Sequence, residues 1–292
     1  MILTQLDTII LASGFEGVVN LLLATGKVDP DSKDKRGRTP LSHVNKAAVA
    51  NILLATGKVD PDSKDEEGRT PLSYASANIY AADMVNLLLA TGKVDPDSKD
   101  EEGRTPLSYA TERGSKDIVN LLLATGKVDP DSKDSKGRTP LSHACTRYYG
   151  GEAIANLLLA TGKVDPDSKD RQGRTPLSHA CAYYHEGEAI ANLLLATDPD
   201  SKNHQGRTPL SYGVQSQTEA VCKLLLATGK VDINSRDKFG LFPLSYIGPE
   251  RREQLRSYYN TNASSCHSES PLQTSPSTLR LPSSDPDKML LE

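Results

Sequence analysis

Apolar residues along this chain fall into short blocks that return with nearly the same wording. One block, Leu-Leu-Ala-Thr-Gly-Lys-Val-Asp-Pro-Asp-Ser-Lys-Asp, runs for example from Leu122 to Asp134. Between its copies stands a second string, Gly-Arg-Thr-Pro-Leu-Ser, which begins at Gly37, Gly68, Gly103, Gly137, Gly173 and Gly206. A diverged copy, Gly-Leu-Phe-Pro-Leu-Ser, begins at Gly240, and successive spacings are 31, 35, 34, 36, 33 and 34 residues. A period of this size marks a solenoid, in which each unit stacks on its neighbours and none buries its apolar face alone.

The unit from Asp100 to Asp134 shows what the pattern predicts. Asp100 and Gly103 hold the first and fourth positions of a type I turn. Thr105 is placed to cap a helix, and Pro106 sits at the first helical position, where a missing N–H costs nothing. A first helix is predicted over Pro106–Arg113, ending at Gly114. A second follows over Lys116–Thr125, with Gly126 as a left-handed stop. Asp117-Ile118-Val119-Asn120-Leu121-Leu122-Leu123-Ala124 is apolar around most of the helix, so neighbours must cover it on several sides. Val128-Asp129-Pro130-Asp131 then runs extended, because Pro130 biases Asp129 away from helix. The unit reads turn, helix, helix, extended arm.

A period near 33 with Asp-x-x-Gly-x-Thr-Pro-Leu, a helix, Gly and a Leu-Leu helix resembles the ankyrin repeat, over roughly residues 8–256. The family usually has His after Thr-Pro-Leu, whereas Ser stands at all seven copies, Ser42 to Ser245. The usual Gly-Ala-Asp-Val-Asn after the second helix is here Gly-Lys-Val-Asp-Pro. Units of this wording are similar to arrays in filamentous-fungal ankyrin proteins, which often follow a nucleotide-binding or effector domain that this sequence does not contain. The resemblance implies an all-α solenoid of helix-turn-helix units with short hairpin-like turns. It also implies partners held by the turn tips and the exposed side of the first helices.

The expected organisation is a degenerate N-terminal half-repeat (1–33), six repeats (34–236), a capping half-repeat (237–259) and a disordered Ser/Pro-rich tail (260–292). Residues 2–13 bring Ile2, Leu3, Leu6, Ile9, Ile10 and Leu11 but no Thr-Pro-Leu unit. This front end reads as a truncation scar or as a face that packs on another chain. At the back, Gly248-Pro249 begins a charged helix, Glu250–Leu255, as a polar end cap requires. Leu195-Ala196-Thr197 passes straight to Asp198-Pro199 without Gly-Lys-Val, which predicts a local distortion there. In the tail, Ser270-Pro271 and Ser275-Pro276 are candidate proline-directed phosphosites and Ser283-Ser284-Asp285 an acid-directed one, against the alternative of an unselected tail.

Composition narrows the function. A net charge of -4 with acids and bases mixed along the chain argues against nucleic acid. No apolar run approaches the ~20 residues that span a bilayer, and Met1–Asp7 lacks a basic region of the signal-peptide kind. Four cysteines, Cys145, Cys181, Cys222 and Cys266, form no C-x-x-C pair, so neither a disulfide framework nor a zinc site is expected. The protein is expected inside the cell, in the cytoplasm or the nucleus, and the Asn262-Ala263-Ser264 sequon would there be unused.

Candidate contacts are positional. Turn tips vary where their surroundings do not: Lys35-Arg36, Glu66-Glu67, Glu101-Glu102, Ser135-Lys136, Arg171-Gln172, His204-Gln205 and Lys238-Phe239. They are either binding contacts or unconstrained solvent positions. Arg38, Arg69, Arg104, Arg138, Arg174 and Arg207 recur once per unit. They form either a ladder of forks for acidic groups on a partner or pairs with local acids such as Asp34 and Asp65. Tyrosines gather in the longer links between helices: Tyr80, Tyr148, Tyr149, Tyr183 and Tyr184, where large amphipathic rings suit an interface. A second group, His43, Tyr74, Tyr109, His143, His179, Tyr212 and Tyr246, lies in the first helices and reads as contacts between repeats.

Chemistry is not expected. Asp29–Asp34 resembles a calcium loop, but Lys33 and Pro40 occupy ligand positions. Thr25-Gly26-Lys27 lacks the other parts of a phosphate loop. His143 with Cys145 and His179 with Cys181 read as equivalent positions of stacked helices, Cys filling a small buried slot. Identical strings cannot all be active sites, and the other residues contain no nucleophile–base–orienter set. The reading is a protein-interaction scaffold without catalysis, cofactor or metal, acting through a concave face, with possible association through the front end. Its rival is a sensor or autoinhibitory array that belongs with a separate nucleotide-binding or effector domain.

Overall fold

The computed structural model describes residues 15–147, 150–183 and 187–265, and no strand occurs among them. The first helices of successive units are Pro40–His43 (α2), Pro71–Ser76 (α4), Pro106–Arg113 (α6), Pro140–Ala144 (α8), Pro176–Cys181 (α10) and Pro209–Gln215 (α12). The second helices are Glu16–Ala24 (α1), Ala47–Ala55 (α3), Ala82–Ala90 (α5), Lys116–Ala124 (α7), Gly151–Ala160 (α9), Gly187–Leu193 (α11) and Glu219–Ala227 (α13). A 3-10 turn at Pro243–Tyr246 and a long helix at Pro249–Ser265 (α14) close the array. First helices pack on first helices and second on second, so the chain is a two-layered stack.

The Thr-Pro-Leu-Ser string explains each first helix. Pro opens it, and the side chains of Thr70, Thr105, Thr139, Thr175 and Thr208 accept from the backbone N–H of the Ser three residues on. The two hydroxyls of each pair lie 3.2–3.3 Å apart, so Ser in place of the family's usual His completes a buried cap. The leucine of the string is fully enclosed in every unit from Leu41 to Leu210.

Each second helix buries its apolar face between its neighbours, as Ile118, Val119 and Leu122 do in α7. At its end Thr125 donates to the Leu122 carbonyl at 2.6 Å, and Gly126 follows at φ 66. In the extended arm, Asp129 accepts from the N–H of Asp131 at 3.0 Å, an Asx turn that aims the chain at the next unit. Cys145, Cys181 and Cys222 are buried, with thiol pKa values raised by burial, that of Cys222 to about 12.

Two places depart from strict repetition. The missing Gly-Lys-Val shortens α11, which ends at Leu193, the first leucine of its triplet, whereas α9 continues to Ala160. The expected distortion is therefore the loss of the last helical turn. At the back, α14 extends to Ser265, six residues beyond the expected boundary at 259. It is polar almost all round, with Leu255 as its buried apolar residue. The remainder of the predicted tail, and the apolar segment 2–13, lie outside the described residues. No described helix is long and apolar enough to cross a membrane.

Candidate functional site

The turn tips are built on one inward-facing side chain per unit, an aspartate everywhere but in the sixth, where it is Asn203. In the third unit Asp100 Oδ1 accepts the N–H groups of Glu102 (2.9 Å) and Arg104 (2.8 Å). Its Oδ2 accepts Arg104 Nε (3.1 Å) and the Tyr109 hydroxyl (2.6 Å). Both oxygens are thus satisfied, which a buried carboxylate requires. Asp65 repeats the arrangement with Arg69 and Tyr74. Asp34, Asp134 and Asp170 repeat it with His43, His143 and His179 at 3.1–3.3 Å. The second group of Tyr and His residues therefore also bonds its own unit's turn, a role that the reading as contacts between repeats did not include.

The electrostatics follow. Burial works against the charge of Asp34, but the N–H groups of Arg38 and Arg36 and the His43 and Arg38 side chains outweigh it, holding the carboxyl at about 2. Burial likewise opposes ionisation of Asp134 and Asp170, and the adjoining His143 and His179 with the nearby arginines hold both well below the usual carboxylate range. Burial, joined by the bond to the carboxylate, raises the hydroxyls of Tyr74 and Tyr109.

This geometry assigns the arginine column. Arg38, Arg69, Arg104, Arg138 and Arg174 each bond the aspartate four residues before it. Arg69 and Arg104 bond Glu67 and Glu102 as well, at 2.9 and 2.8 Å, and lie over the rings of Tyr74 and Tyr109. Local pairing, one of the two readings of the column, is thus present in these five units. Arg207 differs, since Asn203 replaces the aspartate. It reaches Gln215 and lies between the rings of Tyr212 (4.6 Å) and Tyr246 (4.5 Å), leaving its Nε buried without a partner.

Neighbouring tips are joined by backbone. Glu66, Glu101, Ser135, Arg171, His204 and Lys238 each donate their N–H to the carbonyl of the tip before, at 2.6–2.9 Å. Below them Lys33, Lys64, Lys133 and Lys169 reach the carbonyl of the matching lysine in the next unit at 3.1–3.2 Å. The tip glycine permits this approach: a Cβ on Gly137, already at φ 74, would stand 2.8 Å from the Arg171 nitrogen. The tips thus form a continuous row whose backbone is fixed and whose side chains are exposed, among them Glu66, Glu67, Glu101, Glu102, Lys136 and Arg171.

Of the link tyrosines, Tyr80 is 87% and Tyr183 46% exposed. Tyr148, Tyr149 and Tyr184 lie outside the described residues. The structure also exposes apolar side chains that the sequence reading left out: Ile79 beside Tyr80, and Leu241 beside Phe239 (71% exposed) at the last tip. Their signal is visible in the diverged Gly-Leu-Phe-Pro-Leu-Ser string, where Leu241 stands in the arginine column. Among the described residues no group of three or more His, Cys, Asp or Glu is arranged to hold a metal.

A family model described as ankyrin repeats matches in three copies, over residues 9–100, 77–170 and 147–237. A search of curated proteins returns no match.

Proposed function

The chain belongs to the ankyrin-repeat family, and from that premise we propose that it is a non-catalytic scaffold holding a protein partner along its tips and first helices. Ankyrin repeats serve generally as protein–protein interaction modules. The observation that carries the reading is the tip row itself, a bonded backbone ladder presenting exposed side chains that change from unit to unit. Such a surface is rigid before binding, so little ordering entropy opposes association. Glu66, Glu101, Lys136 and Arg171 are the charged contacts of choice, with Tyr183 and Phe239 as aromatic anchors. The arginine column supports the surface from beneath and orders Glu67 and Glu102.

The test separates those two roles. A Glu66→Lys/Glu101→Lys variant is expected to lose a captured protein partner by at least about tenfold, since misplaced charge acts directly on complementarity, while its melting temperature stays put. Arg104→Ala/Arg138→Ala/Arg174→Ala is expected to lower stability by roughly 1 kcal/mol per residue, the usual worth of a hydrogen bond. Equal partner capture by the wild type and the tip variant would sink the proposal.

A second reading rests on Phe15, just before α1, and Val18 and Leu21 on it, which all stand exposed. They suit a front end that docks on a separate domain. A Leu21→Lys variant that keeps every partner would dispose of it.

A further inference from the structure

The tip row carries its charges in a definite order. Glu66, Glu101, Lys136 and Arg171 stand exposed on four successive tips, and none of them forms an ion pair among the described residues. Their neighbours Glu67 and Glu102 are already tied to Arg69 and Arg104. The backbone holds the four tips in line: Glu101 N–H bonds the Glu67 carbonyl at 2.9 Å, Ser135 N–H the Glu102 carbonyl at 2.6 Å, and Arg171 N–H the Lys136 carbonyl at 2.9 Å. Adjacent tips thus stand about 10 Å apart, the separation of packed helices. Unpaired charges fixed in a line are the part of a surface that selects a partner.

Along the row the signs run minus, minus, plus, plus. Turned end for end, the same row presents plus, plus, minus, minus, so it is its own complement. We infer that this stretch binds a second copy of the chain, laid antiparallel, with the two-fold axis between Glu101 and Lys136. The inference rests on the tip row as the binding surface and names its occupant.

On that axis Glu101 faces Lys136 of the second copy and Glu66 faces Arg171 of the second copy, and symmetry makes each contact twice. Lys35 and Arg36 fall opposite His204 and Gln205, which carry no fixed charge, and Lys238 lies beyond the overlap. Other registers fail. Moving the axis half a step sets Glu101 against Glu101 or Lys136 against Lys136. Moving it a full step sets Glu66 against Glu101 or Lys136 against Arg171. A parallel pairing displaced by two tips sets Arg171 against Lys238 and leaves an open end at which further copies add. Like-charge contacts of this kind cost affinity, and so they fix the register. Contact made by turn tips alone lies at the small end of protein interfaces, under about 1,200 Å². The dimer is therefore weak, and salt weakens it further.

The experiment follows self-association of the full chain by sedimentation. The wild type should form a dimer that grows with protein concentration at about 50 mM salt and dissociates at about 0.5 M, where screening shortens the reach of each charge to a few Å. Glu101→Lys and Lys136→Glu each place like charges across the axis. Each should weaken the dimer by at least about tenfold, with circular dichroism and melting temperature unchanged. Mixed in equal amounts, the two variants should regain the dimer, because one then presents plus signs at both central tips and the other minus signs. Recovery in the mixture excludes misfolding as the cause of the loss. A wild type that stays monomeric at low salt, a mixture that stays monomeric, or an open series of larger species each overturns the inference. A monomeric wild type whose Glu66→Lys/Glu101→Lys variant still loses a captured protein partner overturns it too, and leaves the scaffold reading standing.

Discussion

At the residue scale, the feature that organises the molecule is the aspartate at the head of each turn. It accepts two backbone N–H groups, an arginine and a tyrosine or histidine, and so binds the turn to the first helix that follows. The sixth unit tests this, because Asn203 leaves Arg207 without a carboxylate. Asn203→Asp should stabilise the protein by about 1 kcal/mol at pH 7, the net worth of a typical hydrogen bond. The pH dependence has a definite sign. A carboxyl such as Asp34, lowered from 3.8 to about 2 in the fold, stabilises it above the unfolded value. That contribution is lost as pH falls through the folded value, so the gain from Asn203→Asp should shrink from about pH 4 and be gone only below about pH 2. A gain as large at pH 2 as at pH 7, read by chemical denaturation, would contradict the hub. The second aspartates of the arms, such as Asp97, carry the opposite sign. Burial, then repulsion from Asp129 and Asp95, raises them, so their unfavourable contribution at neutral pH is relieved as pH falls.

At the element scale, the second helix depends on its full length. The third unit was legible residue by residue: Pro106–Arg113 and Lys116–Ala124 form where cap, proline and stop glycine predict them, the second ending one residue short of the expected Thr125. The fifth unit was legible as a defect, while its form, a lost turn, was settled by packing. The tip ladder still crosses this junction through His204 N–H and the Gln172 carbonyl at 2.9 Å. Those fixed ends force the shortened chain to give up helix in place of register. Inserting Gly-Lys-Val between Thr197 and Asp198 should restore the last turn and bury a valine, as Val128 and Val231 are buried. The expected gain is about 1–2 kcal/mol from apolar burial. An unchanged melting temperature would show that the short helix is already optimal.

At the scale of the whole molecule, stability should be distributed as in a one-dimensional stack, where interior units have two neighbours and end units one. The Thr-Pro-Leu leucines of the interior units are fully enclosed, whereas α1 exposes Val18 and Leu21 and α14 is polar almost all round. Hydrogen exchange should accordingly be slowest in the second helices α5, α7 and α9 and fastest in α1 and α14. Uniform protection from end to end would instead indicate a single cooperative unit. Partner binding along the tips would then raise protection across several units at once, because the ladder ties each tip backbone to the next.

The sequence by itself determined the repeat, the helices within it and their stacking, because each is fixed by local residues whose chemistry recurs at a constant period. It also identified the exposed tips, since their variation stands out against the constant frame. What the arginines do was open in the sequence. Local acids and a partner's acids were both available, and the turn geometry alone shows that Arg38, Arg69, Arg104, Arg138 and Arg174 each lie within 3.3 Å of their own aspartate. The role of the first-helix Tyr and His residues was hidden for the same reason, because a bond from position nine back to position zero exists only once turn and helix are folded together.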